Sequence, residues 1–383
     1  MRVLASFVGL ALFTACEPRY VENSADIDTY LVRGHFSSAC VGLKMRGDDM
    51  AELRGYTALK LAEFPDEEDA NACVCEALYS AERGWDPAVA DGLNGTKRDD
   101  FATCLAAALK DESVLERHKV VYAIGAIAAP KGYDHLAEIA QGTGDVGMRE
   151  ASVLALRPSE AHIPLLLELL KSDPEAKVRA AAAKSLIGRD SEAVIETVAK
   201  VAVEDAEGEV RAQALNAVVK LRLPQTNKMV CTAMMDDPDS VVRLNAVKAI
   251  RGTKKPDLVK CLEQRLLTKE EDGQVREATI KALGASPSDD AALVLCNAIG
   301  PVLRMYVTGE GNQVAQEVMG GDIIKAQNDR DWERSYDCVV KARRQGGFSC
   351  YSRNYINWWY NQVSGESVKV PWCEGMPNEP DKP

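Results

Sequence analysis

An arginine returns at Arg117, Arg149, Arg179, Arg211, Arg243 and Arg276, at gaps of 32, 30, 32, 32 and 33 residues. A period of about thirty residues constrains the fold more than any other feature of this chain. It means that each period is one supersecondary unit that buries its apolar face only by stacking on its neighbours. Six residues before four of the arginines stands an aspartate: Asp111, Asp173, Asp205 and Asp237. An apolar residue often precedes the arginine directly, as at Met148, Val178, Val210, Val242 and Val275.

The copy Asp173-Pro174-Glu175-Ala176-Lys177-Val178-Arg179 shows what each period builds. A capping side chain, a proline at the first helical position and an early acid predict a helix start at this point. Val178, Ala182, Ala183 and Leu186 continue at helical spacing, and Gly188 with Asp190-Ser191 supplies a stop and a new cap. A second helix is predicted near 191–204, with Val194, Ile195, Val198, Ala199 and Ala202 on its apolar face. Two helices therefore fill each period. The small residues Ala180 to Ala183, Ala212, Ala214, Ala246 and Ala249 suit first helices that approach their neighbours closely.

The pattern D-P-x-x-x-V-R-x-x-A-x-x-A-L resembles the HEAT-like family in its short version, which also occurs in phycobilisome lyases. The resemblance implies an all-α fold: an armadillo-like α-solenoid of about six helical-hairpin HEAT-like repeats at 111–300, with helical N- and C-terminal caps. It also implies that arginine and aspartate form ladders between neighbouring repeats, a structural role for both. Three copies depart from the pattern, with Glu112 in place of proline, Thr143-Gly144 in the second and Glu270-Glu271 in the last. Degenerate ends of this kind are usual for capping repeats.

The chain opens with Met1-Arg2, an apolar stretch from Val3 to Phe13, and then Phe13-Thr14-Ala15-Cys16. The apolar run is too short to cross a bilayer, so residues 1–15 read as a secretion signal. The segment resembles a bacterial lipoprotein signal, with Phe13 where leucine is usual. That resemblance implies that Cys16 becomes the lipidated N-terminus. Because Glu17 and not aspartate follows, it also implies an outer-membrane address, facing the periplasm or the cell surface. Ordinary secretion with cleavage after Ala15 is the alternative. Eleven cysteines less Cys16 leave ten, an even number suited to an oxidising compartment.

Residues 16–35 are polar and read as a tether. Residues 36–110 read as a helical N-terminal cap, with helices over Asp48 to Phe64, Asp66 to Arg83 and Asp99 to Lys110. Cys73 and Cys75 lie two apart on one predicted helix and face different ways, so each needs its own partner, and Cys40 and Cys104 are available. A Cys-x-Cys metal site competes with this reading but has no second pair at ligand spacing. Cys231, Cys261 and Cys296 fall at related heights on second helices. That spacing suggests Cys231 with Cys261, leaving Cys296 for Cys338 and Cys350 for Cys373.

The tail, 301–383, holds four of five tryptophans and reads as an aromatic-rich helical cap, with helices near 312–328, 332–345 and 352–363. Tyr355, Trp358 and Trp359 offer enough aromatic surface to dock a glycan, a peptide or a protein. The competing reading is that they plug the open end of the stack.

The four histidines form no metal-binding or nucleophile-activating pattern, and no phosphate loop, dinucleotide fingerprint or serine elbow occurs, so no enzyme and no cofactor is predicted. A net charge of −12 argues against nucleic acid as partner. Seventeen and 21 residues after the repeat arginine, the central copies carry Glu196 and Lys200, Lys228 and Thr232, and Lys260 and Gln264. This polar row of mixed charge suits a protein partner, although any solenoid exposes polar residues here. The predicted function is a non-enzymatic scaffold for envelope proteins on a lipid anchor. The alternatives are a glycan or small-ligand receptor using the tryptophan-rich tail, and a chromophore-attaching enzyme like the short-repeat lyases.

Overall fold

The computed structural model describes residues 21–45, 47–80, 84–111, 114, 116–221, 225–268, 270, 272–305, 338, 340, 344 and 350–365. Its contacts cluster into two compact units that divide between His162 and Ile163. The boundary therefore falls inside the stretch 111–300 that the period marks as one array. A period reveals which residues repeat, not where the contacts between repeats thin out.

The first unit begins earlier than the sequence suggests. α1 (Ser24–Val32) starts with a capping box, in which Asn23 accepts from the Ala25 N–H and Asp26 reaches back, and it buries Ile27 and Leu31. The expectation of a tether over 16–35 is therefore corrected from Val21 onward. Val21, Ile27 and Leu31 supply an apolar stripe that the polar average of the segment conceals. After the short helix α2 (Phe36–Ala39) come α3 (Ala51–Ala62) and α4 (Glu68–Leu78). The helix expected to run to Arg83 stops at Leu78, where Tyr79 and Ser80 pair antiparallel with Trp85 and Gly84. Aromatic side chains favour the strand, and Gly84, at φ 74°, supplies a backbone conformation that other residues resist.

α5 (Pro87–Gly92) crosses α3 backbone against backbone. A Cβ on Gly92 would stand 2.1 Å from the Gly55 carbonyl oxygen, so only glycine fits there. α6 (Asp99–Ala108), α7 (Arg117–Ile127), α8 (Pro130–Gln141) and α9 (Val146–Ala155) complete the unit. Disulfides join Cys40 to Cys73 and Cys75 to Cys104, with Cα atoms 6.1 and 5.5 Å apart.

The second unit repeats one design. The first helices, α11 (Ala176–Ser185), α13 (Gly208–Leu221), α15 (Ser240–Ala249) and α17 (Gly273–Gly284), pack in series. The second helices are α10 (Ile163–Ser172), α12 (Glu192–Glu204), α14 (Thr226–Asp236), α16 (Pro256–Leu267) and α18 (Asp289–Met305). The residue before each arginine, Val178, Val210, Val242 or Val275, is fully buried, and Ala180 to Ala183 are buried together, which lets neighbouring first helices approach. Disulfides join Cys231 to Cys261 between α14 and α16, and Cys296 of α18 to Cys338. Cys373 lies outside the described residues, as do the helix expected at 312–328 and most of the one at 332–345. A helix over Cys350–Ser364 stands where 352–363 was expected.

The ladder implied by the family resemblance is present. Nε and Nη2 of Arg179 donate to the two carboxylate oxygens of Asp205 in the next repeat, at 2.9 and 3.0 Å. Arg211 holds Asp237 in the same way at 2.9 and 2.7 Å, and Arg243 holds Glu270 at 2.9 and 2.8 Å. In each case Nη1 turns back to its own repeat and bonds the carbonyls six and five residues upstream, for example those of Asp173 and Pro174. The fork geometry of guanidinium matches a carboxylate on one side and leaves donors for the backbone on the other, which a lysine could not do.

The acid also has a second task. Asp173 does not cap α11 as expected; its carboxylate accepts from the Glu175 N–H two residues on, forming a turn ahead of the helix. Asp205, Asp237 and Glu270 repeat this with the N–H groups of Glu207, Asp239 and Asp272. Glu270, which reads as a departure in the sequence, therefore performs the same task with one more methylene.

Burial opposes the charge on Asp205 and on Glu270. The hydrogen bond from the paired arginine, the backbone N–H and the surrounding arginine charges outweigh it, and both carboxyls are held below their ordinary values. The same hydrogen bonds raise the guanidinium pKa of Arg179, Arg211 and Arg243 against desolvation.

Candidate functional site: the face of the second helices

Helical spacing gives α12 two faces. Val194, Thr197, Val198 and Ala202 are buried, while Glu196, Lys200 and Val203 are exposed. α14 repeats the division with Lys228 and Thr232 outside and Val230 and Met234 buried. On α16, Lys260 and Gln264 are exposed above buried Cys261, Leu262 and Arg265. The polar row read from the sequence thus lies on solvent-facing positions of three successive second helices. Lys200 pairs loosely with Glu204 at 3.8 Å, both largely exposed, a contact of little energetic weight.

Two grooves open along this face. A space of 590 Å³ lies between α10 and α12, edged by Leu170, Lys171, Glu196, Lys200 and Glu204. A second of 460 Å³ lies between α12 and α14 and is more apolar, with Val203, Met229 and Ala233 on its wall and Lys228, Asp236 and Asp237 at its rim. Val203 is 67 % exposed, unusual for a valine on a helix whose other face is fully buried.

Val203 was missed in the sequence reading although a signal for it exists. Val203, Met235 and Leu267 each lie 24 residues after a repeat arginine, and Leu267 is 38 % exposed. An apolar residue thus recurs at one register of the second helices, beside the charges.

The aromatic tail divides. Trp358 is 49 % exposed, whereas Trp359 is fully buried with Ile356 and Tyr360. Trp359 is therefore corrected from a partner-binding candidate to a core residue, because consecutive helical positions point about 100° apart and only one of two adjacent tryptophans can face water. The side chain of Tyr355 lies outside the described part of its helix. Among the described residues, no group of three His, Cys, Asp or Glu side chains is placed to hold a metal, and no helix is long and apolar enough to cross a membrane.

The family model described as HEAT repeats matches residues 163–243 and 227–300. No curated protein matches the sequence. Among solved structures, human deoxyhypusine hydroxylase in complex with glycerol is similar at 12 % identity and TM-score 0.29, over 74 % of this chain and 99 % of that one. An engineered protein is similar at 16 % identity and TM-score 0.33, over 87 % and 99 %. The Mot1 N-terminal domain in complex with TBP is similar at 13 % identity and TM-score 0.40, over 91 % and 63 %. Likeness at this level says nothing of activity or partner. The two family matches and the arginine–carboxylate ladder fall on the same stretch, and residues 163–300 are HEAT repeats.

Proposed function

We propose that this protein is a non-enzymatic scaffold that binds a protein partner on the second-helix face and is held in the bacterial cell envelope by a lipid on Cys16. The observation that carries the binding half is the join of exposed mixed charge to exposed apolar surface. Lys228 and Asp236 rim a groove walled by Val203 and Met229, Glu196 and Lys200 edge the neighbouring groove, and Lys260 is exposed on the next second helix of the HEAT repeats. Apolar contacts bordered by charges of both signs suit a folded protein, in which each charge meets its opposite and the valine is desolvated. A phosphate backbone would need a basic stripe, and the row interrupts its lysines with Glu196 and borders them with Asp236.

The envelope half is supported by the apolar run ending at Cys16 and by four disulfides among the described residues, which persist in oxidising compartments. The outer membrane, on the periplasmic or cell-surface side, is the proposed location.

The test couples the two halves. Crosslinking in intact cells should recover a defined partner with the wild type and lose it with Glu196→Lys, Lys228→Glu and Lys260→Glu combined. Mass spectrometry of the mature N-terminus should find a diacylglyceryl group on Cys16. Equal recovery by the reversed variant refutes the binding face, and an unmodified N-terminus refutes the anchor.

A further inference from the structure

Arg117 has no carboxylate at the register that supplies the rung in the second unit. In the second unit the carboxylate lies 26 residues after Arg179 and Arg211 and 27 after Arg243. Twenty-six residues after Arg117 stands Thr143, whose neighbour Gly144 occupies the place of the proline. No carboxylate is available at that register. Arg117 departs from the pattern on its own side as well, with Nη2 donating to the Leu109 carbonyl eight residues upstream. Its Nε, which binds carboxylate in Arg179, Arg211 and Arg243, is buried without a hydrogen-bond partner. A desolvated, unmatched guanidinium donor is a standing cost that a ligand oxygen can relieve.

Where the carboxylate is missing, the first unit has a cavity. A space of 540 Å³, the size of a small-ligand pocket, is bounded by α6, α8 and the start of α9, and Arg117 is part of its wall. The apolar lining comes from Ala106, Ala107, Leu109, Ile139 and Met148. The other charged groups facing it are Lys110, His135, Glu138, Asp145 and Arg149. Most of these are already engaged. Arg149 donates to the Ala140 carbonyl, Asp145 accepts from the Met148 N–H, and Glu138 stands 3.8 Å from His135 and points largely to water. Arg117 is thus the group in the wall with an unmet demand for an anion.

We infer that this cavity binds a carboxylate attached to a short apolar body, with the carboxylate accepting from the guanidinium of Arg117. The apolar lining receives the body, and the guanidinium of Arg117 supplies a charge-assisted donor that favours carboxylate over a neutral group. A free aliphatic acid and the C-terminus of a peptide ending in an apolar residue share this chemistry. The lining residues all belong to the first unit.

The full chain is titrated calorimetrically with hexanoate, with the acetylated peptide Gly-Ala-Leu bearing a free C-terminus, and with the amides of both. One or both carboxylates should bind, which identifies the source, and the matching amides should bind at least about tenfold more weakly. Arg117→Gln should weaken binding by about ten- to a hundredfold. Thr143→Asp installs the missing rung and should abolish binding while raising the melting temperature, so loss of the ligand cannot be ascribed to unfolding. The inference is overturned if neither carboxylate binds the wild type, if the amides bind equally well, or if Thr143→Asp binds like the wild type.

Discussion

Arg211 and Arg117 hold the same place in two different repeats and have opposite surroundings. Arg211 is clamped on Asp237 at 2.7 Å with both side chains about nine-tenths buried, and its charge serves to join two repeats. Arg117 bonds a different upstream carbonyl, that of Leu109, has no acid at the ladder register, and stands in the wall of a cavity. A periodic residue is therefore structural only where its periodic partner is also present. Where the partner is missing, at Arg117, the same side chain is left with a buried Nε that has no hydrogen-bond partner.

The two units also differ in how they are fastened. The first has Cys40–Cys73 and Cys75–Cys104, each spanning about one repeat length, while the second adds the ladder from Arg179 to Glu270 to its Cys231–Cys261 and Cys296–Cys338 disulfides. The largest expected effect that separates them is Cys40→Ser with Cys73→Ser. By the loop-entropy estimate, losing this link of 33 residues costs about 3–4 kcal/mol and should appear as earlier loss of protection in the first unit's amides, with the second unit unchanged. Uniform loss across both units would contradict that division.

Arg211→Ala comes next. It leaves the Asp237 carboxylate buried without its counter-charge, and breaking such a pair costs roughly 3 kcal/mol. Hydrogen exchange should localise the loss to the helices from α13 to α15. By comparison, Arg117→Gln should cost less than about 1 kcal/mol, since it removes one hydrogen bond to a backbone carbonyl and no ion pair.

Acid separates the units further. The folded carboxyls of Asp205 and Glu270 titrate below their ordinary values of 3.8 and 4.5, so the folded state binds fewer protons than the unfolded one in that range. Their stabilisation is complete above the ordinary values and is lost as the pH falls through the depressed ones. Denaturant midpoints of the second unit should fall below about pH 4.5. In the double variant Asp205→Asn, Glu270→Gln that acid dependence should flatten. At the small end, Trp358→Ala should change stability by no more than about 0.5 kcal/mol, since its ring is half exposed, whereas Trp359→Ala should cost about 3 kcal/mol or more.

Most of the second unit was legible in its residues. Asp-Pro pairs mark the turns, the valine before each arginine marks the buried line, and the spacing of Glu196, Lys228 and Lys260 marks one exposed row, because a helix of fixed pitch carries position along the chain directly into position around its axis. The β-pair of Tyr79 and Trp85 and the packing of Ile27 were not, since each depends on contacts distant in sequence and leaves no period. Glu270 looked like a defect because the pattern was read by residue name, yet its carboxylate reaches Arg243 as Asp237 reaches Arg211. The groove at Val203 stayed hidden for a related reason. One exposed valine means little in a sequence, and only its place between Met229 and Ala233 gives it a wall to belong to.

Thermal unfolding of Thr143→Asp beside Asp237→Asn tests the central claim most directly, that the arginine period acts through a carboxylate in the next repeat. The first variant adds a rung and should melt above the wild type, while the second removes one and should melt well below it. A Thr143→Asp protein that melts below the wild type, together with an Asp237→Asn protein that melts with it, would contradict the account.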